Sequence, residues 1–129
     1  MPRYFTVAEA NALLPLLRPH VRRLIDSWRR LNDVQAEVVA LLERRPHDDL
    51  GGPPLSIAAT AIIGAQSAIV AIQAYGAELK DPATGLLDFP AIRNGSEVYL
   101  CWRYGEERIS FWHPLDTGIA GRQPLEEQD

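Results

Sequence analysis

Apolar residues recur at alternating intervals of three and four over the first third of the chain. This spacing collects them in one stripe along a helix, as expected of a helix that packs on a core. The stripe predicts helix 1 over residues 7–45, begun by a capping box between Thr6 and Glu9. Pro15 and Pro19 each remove one helical hydrogen bond, so we predict a short first segment and a kink there. The stripe consists of Leu14, Leu17, Val21, Leu24, Trp28, Leu31, Val38 and Leu42.

A second long apolar segment lacks this one-sided pattern, because nearly every position over residues 56–79 is apolar or small. A helix that is apolar all round needs cover on all sides. We therefore predict that helix 2 packs on helix 1, on the sheet and on a second copy of the chain, as a homodimer. The short loop over residues 46–55 makes the two helices antiparallel neighbours. Polar residues such as Thr60 and Gln66 interrupt the segment, so a membrane span is not favoured.

Short segments with alternating side chains follow the helices and predict an antiparallel meander over residues 86–113. The first strand covers residues 86–89, and a turn signal lies at Asn94 and Gly95. The other two strands cover residues 98–103 and 108–113.

The register of the last two strands decides which side chains meet. A two-residue turn at 105–106 places His113 on the face that packs on the helices. The same register places Tyr99 opposite Trp112 on the other face, together with Cys101. Because His113 and Cys101 then point to opposite faces, a site that joins them is not favoured.

Together these elements predict an α+β fold in a single domain over residues 1–129. Two long antiparallel helices, the first kinked at Pro15 and Pro19, pack on a small three-stranded antiparallel β-meander. A Gly-rich tail over residues 114–129 follows the sheet.

Charge and cysteine content narrow the class of protein. The net charge is −4, divided into +3 over residues 1–45 and −7 over the remainder. The helix 1 arginines lie off the apolar stripe beside acidic residues, so nucleic-acid binding is disfavoured. The single Cys excludes an internal disulfide, and residues 1–10 lack the apolar run of a secretory signal. Both features favour a cytoplasmic protein.

Candidate chemistry gathers where the predicted sheet meets the tail. Carboxylates there suit a hard cation, and an imidazole suits a transition metal. An anionic or small-molecule ligand would instead use arginine and aromatic side chains. The candidate metal ligands are Asp88, Glu106, His113 and Asp116, and the candidate ligand-binding residues are Arg103, Arg122, Tyr99 and Trp112. No cofactor is predicted, and a divalent metal is left open.

Three segments carry a resemblance to a known family. They are FTVAEANALLPLLRP at residues 5–19, GLLDFPAIRNGSEVYLCWRYGE at 85–106 and FWHPLDTGIAGRQPL at 111–125. The chain resembles the bacterial DUF2203 family over most of its length. That resemblance implies no activity, and it supplies no catalytic residues.

Three functions remain open on the sequence alone. The favoured hypothesis is a non-enzymatic cytoplasmic protein that self-associates through helix 2 and binds a partner. No phosphate-binding loop, metalloprotease motif or nucleophile elbow is present in the sequence. The alternative is an enzyme that binds a small molecule or a metal where the sheet meets the tail. The third is weak nucleic-acid binding through the helix 1 arginines.

Overall fold

Two helices and one antiparallel sheet form the protein, in a computed structural model that describes residues 3–44 and 53–126. The helices are α1 (Val7–Arg44) and α2 (Pro53–Ala74). The strands are β1 (Glu78–Asp81), β2 (Leu86–Arg93), β3 (Ser96–Arg103), β4 (Phe111–Pro114) and β5 (Gln123–Pro124). A short 3-10 turn, Gly118–Gly121, precedes β5. The α+β class is confirmed, but the sheet has five strands in sequential order rather than three.

The start of α1 agrees with the prediction from the sequence, whereas the interior of the helix does not. The Thr6 amide donates to Glu9 Oε1 at 2.9 Å, and the Glu9 amide donates to Thr6 Oγ1 at 3.0 Å, so the capping box is confirmed. α1 then continues unbroken through Pro15 and Pro19, and the predicted separate first segment does not form. Both prolines are exposed, so water can hydrate the carbonyls that they leave without a helical donor.

The connection from α2 to the sheet is shorter than predicted. Helix 2 ends at Ala74 instead of residue 79, and the Gly76 backbone has a φ of 92°. This left-handed conformation stops the helix. Residues 78–81 then form an edge strand, because Leu79 packs against the core while Glu78 points away from it. The predicted loop lies outside the described residues as far as residue 52, as do tail residues 127–129.

The core lies between α1, the small residues of α2 and one face of the sheet, here called the inner face. Ala61, Ala65 and Ala68 of α2 are buried and let the α1 backbone come close. The inner face of the sheet consists of Leu87, Phe89, Ala91, Val98, Leu100 and Trp102. By alternation, Asp88 and Cys101 point to the opposite, outer face.

The register of β3 and β4 differs from the prediction by one residue. Tyr99 pairs with His113, and Leu100 pairs with Trp112. The connection is no two-residue turn, because the Ile109 amide donates to Asn11 Oδ1 of α1 and leaves the strand ladder. A shift of one residue moves every side chain of β4 to the other face. The inferred separation of Cys101 and His113 was therefore wrong.

The tight turn before β2 gives a stability test. Gly85 has a φ of 69°, and an added Cβ would lie 2.6 Å from Val21 Cγ1 and 2.8 Å from Tyr104 Cβ. Gly85→Ala is expected to cost about 2–3 kcal/mol of unfolding free energy, from backbone strain plus overpacking. Gly95→Ala is the control, because its φ is 78° but no atom lies within 4 Å of the added Cβ. Equal losses in urea unfolding would show that the steric contact is irrelevant.

Candidate metal centre

Three neighbouring strands bring an aspartate, a cysteine and a histidine together on the outer face. Asp88 of β2 is the direct cross-strand partner of Cys101 of β3, and His113 of β4 lies beside them. Their candidate ligand atoms all lie within 4.8 Å of one another. The three residues are only 2%, 0% and 2% exposed, so the cluster, here called the centre, is enclosed.

The hydrogen bonds of His113 fix how its ring is used. Nδ1 lies 2.8 Å from the Pro114 carbonyl oxygen, which can only accept, so Nδ1 carries a proton. Nε2 lies 3.0 Å from both Oδ1 and Oδ2 of Asp88. The backbone therefore orients the ring so that Nε2, two carboxylate oxygens and the nearby Cys101 thiol converge.

Burial dominates the electrostatics of the centre. It raises the pKa of Asp88, and the bond to His113 offsets part of that rise. Burial also raises the pKa of the Cys101 thiol, against a smaller opposing effect of Arg122. A buried thiol with a raised pKa is a poor nucleophile.

This arrangement does not match a nucleophilic triad. In such a triad the histidine faces the nucleophile through one ring nitrogen and the acid through the other. Here Nδ1 of His113 is occupied by the Pro114 carbonyl, so Asp88 and Cys101 share the Nε2 side. The geometry therefore favours coordination of one bound ion by the three side chains over a proton relay between them.

Two cations border the centre, and each has its own carboxylate. Lys80 Nζ lies 3.0 Å from Glu78 Oε1, which also accepts from the Tyr99 hydroxyl at 3.0 Å. On the other side, Arg122 Nη2 lies 2.6 Å from Glu106 Oε1. The borders of the centre therefore carry balanced charge.

Arg122 also fastens the C-terminal segment to the sheet beside Cys101. Its guanidinium lies 4.1 Å from the centroid of the Phe111 ring and donates to the Cys101 carbonyl at 3.4 Å. Glu106 accepts from the Arg103 amide at 2.6 Å, so its carboxylate is held away from the centre. The C-terminal segment therefore lies against the sheet beside Cys101.

The predicted metal ligands divide into two pairs. Asp88 and His113 meet in the centre, whereas Glu106 binds Arg122 and Asp116 is exposed beyond β4. Cys101 is not among the predicted ligands, because the predicted register turned it away from His113. In the observed register Cys101 lies on the same face as Tyr99, the cross-strand partner of His113.

The predicted ligand-binding residues are likewise spread over the sheet. Tyr99 lies next to the centre, its ring 5.5 Å from that of His113, and Arg122 borders Cys101. Arg103 is exposed. Trp112 lies on the inner side, packed against the core, and does not face Tyr99.

The comparison with known families gives one result. The model of a family described as "Uncharacterized conserved protein (DUF2203)" matches residues 3–125. The chain belongs to the DUF2203 family. The matched span of this DUF2203 chain contains the whole centre and the segment that Arg122 fastens. No curated protein and no solved structure matches the chain.

Three of the α1 arginines of this DUF2203 chain make contacts within the protein. Arg22 lies 3.9 Å from Asp26, Arg23 contacts the His20 ring, and Arg18 donates to the Glu107 carbonyl. These contacts use the charges of Arg18, Arg22 and Arg23 within the protein, which weakens the case for a nucleic-acid surface on α1.

Proposed function

We propose that the protein binds a divalent transition-metal ion, with zinc as the first candidate, through Asp88, Cys101 and His113. The orientation of His113 carries the proposal. With Nδ1–H bound to the Pro114 carbonyl, Nε2 points at the Asp88 carboxylate beside the Cys101 thiol. Metal-binding histidines are typically fixed in this way by an acceptor at the second ring nitrogen.

The donor types select the class of ion. Calcium and magnesium prefer six or more oxygen ligands, and the centre offers one carboxylate among its three side chains. Zinc accepts thiolate, imidazole and carboxylate together. The mixed set therefore favours zinc or a similar first-row ion over a hard cation.

Charge supports the same assignment. A divalent ion bound to one thiolate, one carboxylate and a neutral imidazole gives a site with no net charge. Neutrality matters because the three residues are at most 2% exposed, and an uncompensated charge there would be costly.

The distances require a small adjustment. Tetrahedral zinc with bonds of about 2.0–2.3 Å separates its ligand atoms by about 3.4 Å or more. Nε2 and the Asp88 oxygens lie 3.0 Å apart, so they would separate by about 0.4 Å. Three protein ligands leave a fourth position for water or a small ligand.

Binding is favoured over catalysis at this centre. Asp88 and His113 would both serve as ligands. The neighbouring carboxylate, Glu78, already accepts from Tyr99 and Lys80. Among the described residues the centre therefore lacks a free general base. A metal held by three strands would instead tie the sheet together.

Cobalt titration tests the proposal, using untagged protein first stripped with a chelator. We expect one Co²⁺ per chain, a thiolate-to-cobalt charge-transfer band, displacement by Zn²⁺, and a higher melting temperature with zinc. Cys101→Ser should remove the band and weaken binding at least about 100-fold, since losing even an outer-shell partner costs about 10–100-fold.

The competing account is a buried Asp88–His113 pair that shares a proton and takes no ion. Under that account the stripped protein shows neither the charge-transfer band nor a thermal shift with zinc. His20→Ala serves as the control, because His20 lies on α1 and should leave cobalt binding unchanged. Loss of binding in this control would also contradict the assignment.

A further inference from the structure

A second feature, separate from the centre, is the uncovered side of α2. Its inner side is buried at Ala61, Ala65, Ala68 and Ile72, which leaves the opposite side facing outward. Ile63 and Val70 on that side are 66% and 67% exposed. The helix contains no charged residue over its 22 positions. An apolar helix face of this extent normally marks a contact surface.

One flank of α2, between the buried row and the fully outward Ile63 and Val70, has the spacing of a helix-pairing seam. Leu55, Ile62 and Ile69 repeat every seven residues, as do Ala59, Gln66 and Gln73. The two series alternate at intervals of four and three, which is the a/d pattern of paired helices. Ile63 and Val70 flank this seam. Ile69 is half-buried because it also packs against the core of its own chain, and the other members are exposed.

We propose that a second copy of this chain covers the seam, so that two α1–α2 hairpins form a four-helix arrangement. A second copy suits the polar residues of the seam, Gln66 and Gln73. A glutamine amide both donates and accepts, so it can form hydrogen bonds with the same residue of the second copy. A charged partner would find no opposite charge on this face. A lipid surface would leave the Gln66 and Gln73 amides without hydrogen bonds.

The size of the seam predicts a reversible dimer. A helix of 22 residues is about 33 Å long and about 10 Å wide, which gives a projected footprint of about 330 Å². Stable complexes bury about 800 Å² of accessible surface on each partner. Interdigitated side chains bury more accessible area than this projected footprint. Residues of α1 that border α2 would add further contact area. We therefore expect a dissociation constant in the micromolar range.

Sedimentation velocity over about 1–500 µM of the full chain tests the proposal. The wild type should change from monomer to dimer across this range. Ile62→Glu should weaken the dimer by more than about 100-fold, because Ile62 is 45% exposed within the seam and the change would bury a charge there. Ile92→Glu is the matched control, since Ile92 is 52% exposed but lies on β2, and it should leave the dimer intact. A wild-type monomer at every concentration overturns the proposal, as does a dimer insensitive to Ile62→Glu.

Disulfide trapping locates the contact independently. Gln66→Cys lies near the middle of α2 and should form a crosslinked dimer on mild oxidation, whereas Ile92→Cys on β2 should not. Cys101 is fully buried, so the natural cysteine can remain. Equal crosslinking of both variants would place the dimer contact elsewhere.

A membrane is the outcome that must be separated from a dimer. α2 has the length and composition of a membrane span, and only 22% of its most apolar segment is buried within the protein. Flotation with neutral phosphatidylcholine vesicles distinguishes the two. Protein that stays in the soluble fraction supports pairing with a second copy. Protein that floats with the vesicles in stoichiometric amount overturns that proposal.

Discussion

Removing the imidazole of His113 is expected to destabilise the metal-free protein by about 3 kcal/mol. His113→Ala leaves the Asp88 carboxylate buried without the ring that lies 3.0 Å from both its oxygens. Breaking a buried pair by removing one partner typically costs about 3–5 kcal/mol. Protonation of Asp88 limits the cost, because a neutral carboxyl tolerates burial better than a charged one. Urea unfolding in the presence of a chelator measures the loss.

The pH dependence of that loss identifies its cause. Burial raises the pKa of Asp88, and the opposing effect of His113 disappears in the variant. The folded variant then holds a proton that the unfolded chain releases, so its stability falls as pH rises above the unfolded value of about 3.9. The deficit against wild type should therefore be larger at pH 8 than at pH 5.

A double variant separates charge burial from lost packing. Asp88→Leu with His113→Leu replaces both partners by apolar groups, a change that is often nearly neutral. We expect the double variant to regain most of the stability that His113→Ala loses. A single variant within about 1 kcal/mol of wild type at pH 8 would show that the pair is not held as described.

The sequence predicted local features well, because each depends on a few neighbouring residues. The capping box of Thr6 and Glu9 is determined within the first turn of the helix. Asn94 and Gly95 both have positive φ, as the turn between β2 and β3 requires. In contrast, β5 has only two residues and is held by β4, so no internal alternation could reveal it.

The centre was harder to predict because its register depends on contacts distant in sequence. The Asn11 side chain of α1 binds the Ile109 amide, 98 residues away, and ends the β3–β4 ladder early. A hairpin read from its own residues cannot include that bond. A one-residue error then moved His113 to the wrong face and separated it from Cys101. Asp88 and His113 were recognised as candidates by residue type alone.

Replacing Trp102 with alanine is the substitution expected to cost most. Trp102 is fully buried in the core beneath the sheet, where it pairs with Leu87 across β2 and β3. Truncation of a buried Trp typically costs about 3–5 kcal/mol through lost burial and the cavity that remains. The indole Nε1 also donates to the Glu106 carbonyl at 3.0 Å, and that bond is lost with the ring.

Trp102 therefore links the core to the C-terminal segment. The loop that it anchors at Glu106 presents the carboxylate that binds Arg122 at 2.6 Å. In Trp102→Ala we expect faster amide exchange at Arg122 and Leu125, measured under conditions where the variant is still folded. Trp102→Phe keeps most of the packing and loses the hydrogen bond, which contributes about 1 kcal/mol. If the phenylalanine variant loosens the segment as much as the alanine variant, the indole hydrogen bond holds it. Loosening only in the alanine variant would instead assign that role to packing.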